Sequence, residues 1–134
     1  MIRGSCLCGG VRFEITGKVS GIGQCHCSLC RKASGTASNA VLLTAKGGFR
    51  WVQGEDLAQE WERPTGRGNK FCRVCGSPLP GLHPSGKVLW VPAGLLDDDP
   101  GTRVEQHIYV GSKAPWDEIP GDAPRYEEAA PPHH

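Results

Sequence analysis

Apolar positions along this 134-residue chain fall in short alternating runs broken by glycine and proline. Val11, Phe13 and Ile15 alternate with Arg12 and Glu14, the period-two pattern of a strand with one buried face. Residues 39–43 read as a second strand. Phe49 and Trp51 mark a third, which ends near Gly54. Residues 57–63, 68–71, 87–91 and 103–110 read as further strands. Turn signals separate them: Gly47-Gly48, Pro64-Thr65-Gly66, Ser85-Gly86 and Asp99-Pro100-Gly101. One stretch suggests a helix, residues 29–33, with Ser28 as N-cap and a stop near Gly35. The pattern predicts a mainly β domain over residues 1–120, with at most short helical turns. Residues 121–134 are rich in Pro, Ala and Glu and end Pro-Pro-His-His, which predicts a loosely held tail. Its terminal histidines read as a flexible end rather than a ligand pair.

Charge narrows the function classes. The formal net charge is +1 with acids and bases interleaved, so nothing electrostatic favours nucleic acid or an anionic membrane. No apolar run approaches the roughly 20 residues of a membrane span. The opening MIRGSCLCGG has no secretory apolar stretch, so a cytoplasmic location is expected.

The cysteines carry the chemistry. Seven is odd, so complete internal pairing is impossible. They fall as C-x-C (Cys6, Cys8), C-x-C-x-x-C (Cys25, Cys27, Cys30) and C-x-x-C (Cys72, Cys75). Such tight clusters suit metal binding in a reducing compartment. C-x-x-C followed by Gly76 is a zinc knuckle, in which two sulfurs reach one ion and the glycine supplies a positive-φ turn. Structural zinc takes four ligands, and Cys6 and Cys8 complement the knuckle, because residues i and i+2 of an extended segment point the same way. The plain alternative is that one pair is simply buried thiol.

Cys25, Cys27 and Cys30 offer three thiolates within six residues. Three ligands and an open position describe a catalytic zinc, and an open three-thiolate zinc suits a soft sulfur substrate. A fourth ligand, His83 or His107, would instead make the site structural. His26, between two ligands, should point away from their shared ion.

These motifs resemble those of the glutathione-dependent formaldehyde-activating enzyme family. The resemblance runs through Gly4-Ser5-Cys6-Leu7-Cys8-Gly9-Gly10, Cys25-His26-Cys27-Ser28-Leu29-Cys30-Arg31-Lys32 and Phe71-Cys72-Arg73-Val74-Cys75-Gly76. It continues through Pro92-Ala93-Gly94-Leu95-Leu96-Asp97-Asp98 and His107-Ile108-Tyr109-Val110-Gly111-Ser112-Lys113-Ala114-Pro115-Trp116. It implies a zinc-stapled β-tent of antiparallel strands and two zinc ions per chain. Cys6, Cys8, Cys72 and Cys75 would hold the structural zinc, and Cys25, Cys27 and Cys30 the catalytic-type zinc. It further implies a carbon–sulfur lyase-type activity that joins formaldehyde and glutathione into S-hydroxymethylglutathione, or a related reaction of a small thiol. His107 is a candidate proton donor. Arg31, Lys32 and Arg50 are candidates to meet glutathione carboxylates, and Trp116 to cap the pocket. Related β-tent proteins act as exchange or chaperone factors for small GTPases, so a zinc-stapled binding module without catalysis is the alternative. The triple-cysteine cluster favours the enzyme, because a pure binding module has no use for an open metal.

Overall fold

The computed structural model describes residues 1–64 and 68–131. Part of the Pro64-Thr65-Gly66 turn and the terminal His133 and His134 lie outside them. The described chain is mainly β. Ten strands occur in order: β1 (Ile2–Ser5), β2 (Arg12–Ile15), β3 (Ile22–Cys25), β4 (Asn39–Ala45), β5 (Phe49–Gln53), β6 (Ala58–Glu62), β7 (Gly68–Cys72), β8 (Gly81–Leu82), β9 (Val88–Pro92) and β10 (Val104–Ile108). One α-helix, α1 (Ser28–Ser34), follows β3.

The strands form three sheets. β1-β2-β5 make one, β10-β3-β4-β9-β8 a second, and β6-β7 a two-stranded ribbon. All pairings are antiparallel except β10 with β3, which is parallel. Alternation explains which faces meet. Phe13 and Ile15 of β2 turn inward, while Arg12 between Val11 and Phe13 is exposed. They meet Leu42 of β4 and Leu89 and Val91 of β9, so this core sits between the two larger sheets. Burying each such side chain is worth about 1.5–3 kcal/mol. Phe13 stacks on Phe49 at 5.3 Å between ring centroids and meets Trp51 edge-on at 6.4 Å. Gly4, opposite Phe13 in the register, leaves room for that ring, because a Cβ there would collide with it. A second apolar group gathers Cys6, Val11, Cys72 and Leu79 with Trp51, Leu57 and Ala58 around it.

The fold adds what periodicity did not show. β1, β3 and β8 were not expected. Each is two to four residues long and lacks alternating apolar side chains; β1 and β8 pair with the strands that follow them, and β3 also pairs with the distant β10. The helix N-cap is Cys27 rather than Ser28. Its sulfur accepts the Cys30 N–H at 3.3 Å, and Ser28 is already helical. Gly35 ends the helix in the left-handed conformation at φ 69°, as expected.

The segment read as a loose tail is held over residues 124–128. The His107 N–H donates to the Pro124 carbonyl (2.9 Å), the Tyr126 N–H to the His107 carbonyl (2.9 Å) and the Tyr109 N–H to the Glu128 carbonyl (3.0 Å). The Arg125 guanidinium adds bonds to the Ile119 and Gly121 carbonyls. β10 is a sheet edge, and an edge with unpaired backbone groups is stabilised by any strap that covers it. Composition does not register such bonds, because main-chain groups make them.

Candidate metal centres

The first centre joins two segments far apart in sequence. Cys6 and Cys8 follow β1, and Cys72 and Cys75 end β7 and begin the knuckle. One donor atom from each lies within 4.8 Å of all the others. Two of the sulfur pairs stand at 3.5 Å (Cys6 and Cys8) and 3.9 Å (Cys8 and Cys72). Four sulfurs held at about 2.3 Å from a tetrahedral ion would stand about 3.8 Å apart, so the set fits zinc. Gly76 adopts φ 77°, the positive-φ turn that the knuckle requires. Backbone donors surround the sulfurs: the Val11 N–H reaches Cys6 at 3.3 Å and the Gly10 N–H reaches Cys8 at 3.4 Å.

Electrostatics point the same way. The Ser77 hydroxyl and then the Ser77 N–H draw the Cys75 thiol down to about 5. The Gly10 N–H favours the Cys8 thiolate, yet Cys6 and burial together lift Cys8 to about 11. Four thiols this close cannot all ionise without a cation among them. Cys6 and Cys72 are 3% and 0% exposed and belong to the core, Cys75 is half-buried and Cys8 is exposed at the surface.

The second centre is local. Cys25 ends β3, Cys27 caps α1 and Cys30 lies in its first turn. Their sulfurs also lie within 4.8 Å of one another. Contact with Cys25, burial and the charges of Cys25 and Cys27 push the Cys30 thiol well above its ordinary range, because thiols this close disfavour one another's ionised form. Three sulfurs this close could hold a zinc ion with one position left over. Among the described residues no fourth His, Cys, Asp or Glu joins the set.

The two histidines considered as a fourth ligand are engaged elsewhere. His83 bonds Ser85 at 3.0 Å and packs on Trp90 with ring centroids 4.8 Å apart. His107 is 3% exposed, and its Nδ1 lies 3.0 Å from Nε2 of His26. His26 points away from the sulfurs, as its position between two of them requires, and is 2% exposed. Its Nδ1 stands 3.7 Å from Asp117 Oδ2 and makes no hydrogen bond. Burial lowers the pKa of both rings. Asp117 was not singled out in the sequence. The available signal was that a histidine flanked by two ligands must find partners on the other face.

The remaining candidates separate. Arg50 is paired with Glu14 at 2.5 Å across β2 and β5. Arg31 follows Cys30, and its Nε is buried without a partner, while Lys32 is exposed. Trp51 packs against both core groups, and Trp61 and Trp116 are exposed. A cavity of about 400 Å³ lined by Arg3, Ser5, Arg12, Glu14 and Asp97 holds no cysteine. Several of its charges are already paired, Arg3 with Asp98 and Glu14 with Arg50.

With both clusters in place, the comparison with known proteins is direct. Residues 1–112 match the family described as "Glutathione-dependent formaldehyde-activating enzyme". The chain belongs to that family. The match contains all seven cysteines. A relative from Halomonas elongata, provisionally named as a glutathione-dependent formaldehyde-activating enzyme, is 31% identical over 129 residues. The alignment covers 89% of this chain and 81% of the relative. A solved Rhodobacter sphaeroides protein shares the fold at a TM-score of 0.62 and 22% identity, over 92% of this chain and 98% of its own. No helix among the described residues is long and apolar enough to cross a membrane.

Proposed function

We propose that this family member is a zinc-dependent enzyme of carbon–sulfur chemistry that joins glutathione and formaldehyde into S-hydroxymethylglutathione. The observation that carries the reading is the set of three sulfurs at Cys25, Cys27 and Cys30, joined by no fourth protein donor among the described residues. Cys6, Cys8, Cys72 and Cys75 hold a second, structural zinc. At the three-thiolate centre a bound zinc supplies a Lewis-acidic position suited to a soft thiolate. The reaction adds the glutathione sulfur to the formaldehyde carbon, and the thiol proton ends on the new hydroxyl.

The chain's own residues bind and orient. Cys25, Cys27 and Cys30 define the centre, and the Cys30 N–H steadies the Cys27 sulfur. Arg31, beside Cys30 and with an unpartnered Nε, is the cation best suited to a glutathione carboxylate. Arg50, held by Glu14, is not. His107, buried against His26, serves the cluster's support rather than proton donation. Seven cysteines without a disulfide are consistent with action in a reducing compartment, most simply the cytoplasm.

Thiols add to formaldehyde unaided, so the test must read rate. Exchange between glutathione and its hydroxymethyl adduct is measured at equilibrium with the parent protein, with Cys30→Ser and with buffer. Acceleration by the parent alone is expected. A parent rate equal to buffer, with no glutathione binding by calorimetry, would remove the reading.

A further inference from the structure

The three-sulfur centre lacks what holds the four-sulfur centre in place. None of the α1 residues is buried, and the ligands lie in six residues of one strand–helix junction. Something must keep that junction from opening. His26 is the one side chain between Cys25 and Cys27, and it is anchored from three directions. Its backbone N–H donates to the Ile108 carbonyl of β10 at 3.0 Å. Its ring meets His107 at 3.0 Å, and Asp117 stands 3.7 Å from the other ring nitrogen. His107 is itself fixed on both sides. It pairs with Gln24 of β3 in the sheet, and its backbone N–H and carbonyl bond Pro124 and Tyr126 of the C-terminal strap.

Successive side chains of an extended segment point to opposite faces. Fixing the His26 ring on one face therefore fixes the directions of Cys25 and Cys27 on the other. The carboxylate beside Nδ1 favours a proton on that nitrogen, which leaves Nε2 to accept from the Nδ1–H of His107.

We propose that His26, His107 and Asp117 are positioning residues that hold the Cys25–Cys27 turn closed and thereby set the metal affinity of the three-sulfur centre independently of the four-sulfur centre. The proposal rests on the reading that the three-sulfur centre binds zinc. It assigns the C-terminal strap a role, since the strap secures β10 at His107.

The test compares substitutions that keep the ring-to-ring bond with substitutions that remove it. A Gln amide reaches where the His26 Nε2 lies, and an Asn amide where the His107 Nδ1 lies. The zinc-loaded full chain is titrated with a chromophoric chelator, and the zinc of the three-sulfur centre is also exchanged for cobalt and read by its visible thiolate spectrum. His26→Leu and His107→Leu should raise the zinc dissociation constant of that centre about 10–100-fold, the usual cost of losing an outer-shell partner, and alter the cobalt spectrum. His26→Gln and His107→Asn should stay near the parent value, and the tightly held zinc should not change in any variant. Asp117→Ala, in a segment outside the core, should shift the same constant in the same direction by less, and it decides the matter should the Leu variants fail to fold. Equal constants and spectra for parent and Asp117→Ala, or Gln and Asn variants as weak as the Leu variants, would overturn the proposal while leaving the three-sulfur zinc intact. A parent chain that takes up only one zinc would overturn both the proposal and the reading beneath it.

Discussion

The two cysteine clusters use the same ligand type and differ in how the chain delivers it. The four-sulfur cluster draws Cys8 and Cys72 together across 64 residues and seats Cys6 and Cys72 in an apolar group with Val11 and Leu79. The three-sulfur cluster takes its cysteines from one strand–helix junction, half exposed, with Cys25 in the sheet between β4 and β10 and His26 packed against His107 behind it. A cross-link between distant segments removes much unfolded-state freedom, whereas a local one removes little. The first cluster therefore ties distant parts of the fold, and the second gathers residues of one local junction.

The largest effect should come from Cys75→Ser. Structural zinc can contribute on the order of 10 kcal/mol to folding, comparable with the roughly 5–15 kcal/mol stability of a whole domain. Circular dichroism melts should show this variant largely unfolded. A cooperative transition near the parent temperature would erase the distinction between the clusters.

Gly4→Ala probes the same region without touching a ligand. The added methyl collides with the Phe13 ring, so a loss of about 1–3 kcal/mol is expected in denaturant titrations. The zinc content should stay at the parent level. Loss of zinc from this variant would mean that core packing and the four-sulfur centre cannot be separated.

Cys30→Ser should do the reverse. Its melt should lie close to the parent's, while elemental analysis falls from two zinc ions per chain to one. Destabilisation equal to that of Cys75→Ser would make both centres structural and favour a binding module over an enzyme.

The smallest effect lies at the surface, where Arg3 ties β1 to Asp98 through two guanidinium bonds. That bonding, helped by the Arg3 N–H, lowers the Asp98 carboxyl from 3.8 to about 2. A carboxyl depressed on folding adds stability above its unfolded value and loses it as pH falls through its folded value. The contribution should be complete above about pH 4 and gone near pH 2, and Asp98→Asn should remove it. Pairs this exposed contribute little. Acid titration of the parent and the variant by circular dichroism should differ slightly above that window, with the difference closing as pH falls through it.

The sequence by itself determined the grouping of the cysteines and the class of fold. Cysteine spacing is local geometry, so C-x-C, C-x-x-C-Gly and C-x-C-x-x-C could be read directly, and Gly76 was legible as a positive-φ turn for the same reason. Alternation placed Val11, Phe13 and Ile15 on one buried face, because period two is a property of any half-buried strand. Tertiary structure decided what has no local signature. β3 is a four-residue strand without an alternating apolar face, held by β4 on one side and β10 on the other. The strap at residues 124–128 looked loose because its bonds are made by backbone groups, which are alike in every residue. Cys27 displaced Ser28 as helix cap because β3 delivers the chain to the helix one residue earlier than hydroxyl preference suggests. The meeting of His26, His107 and Asp117 depends on three segments arriving together, and a contact spanning 81 residues leaves no mark on the residues beside it.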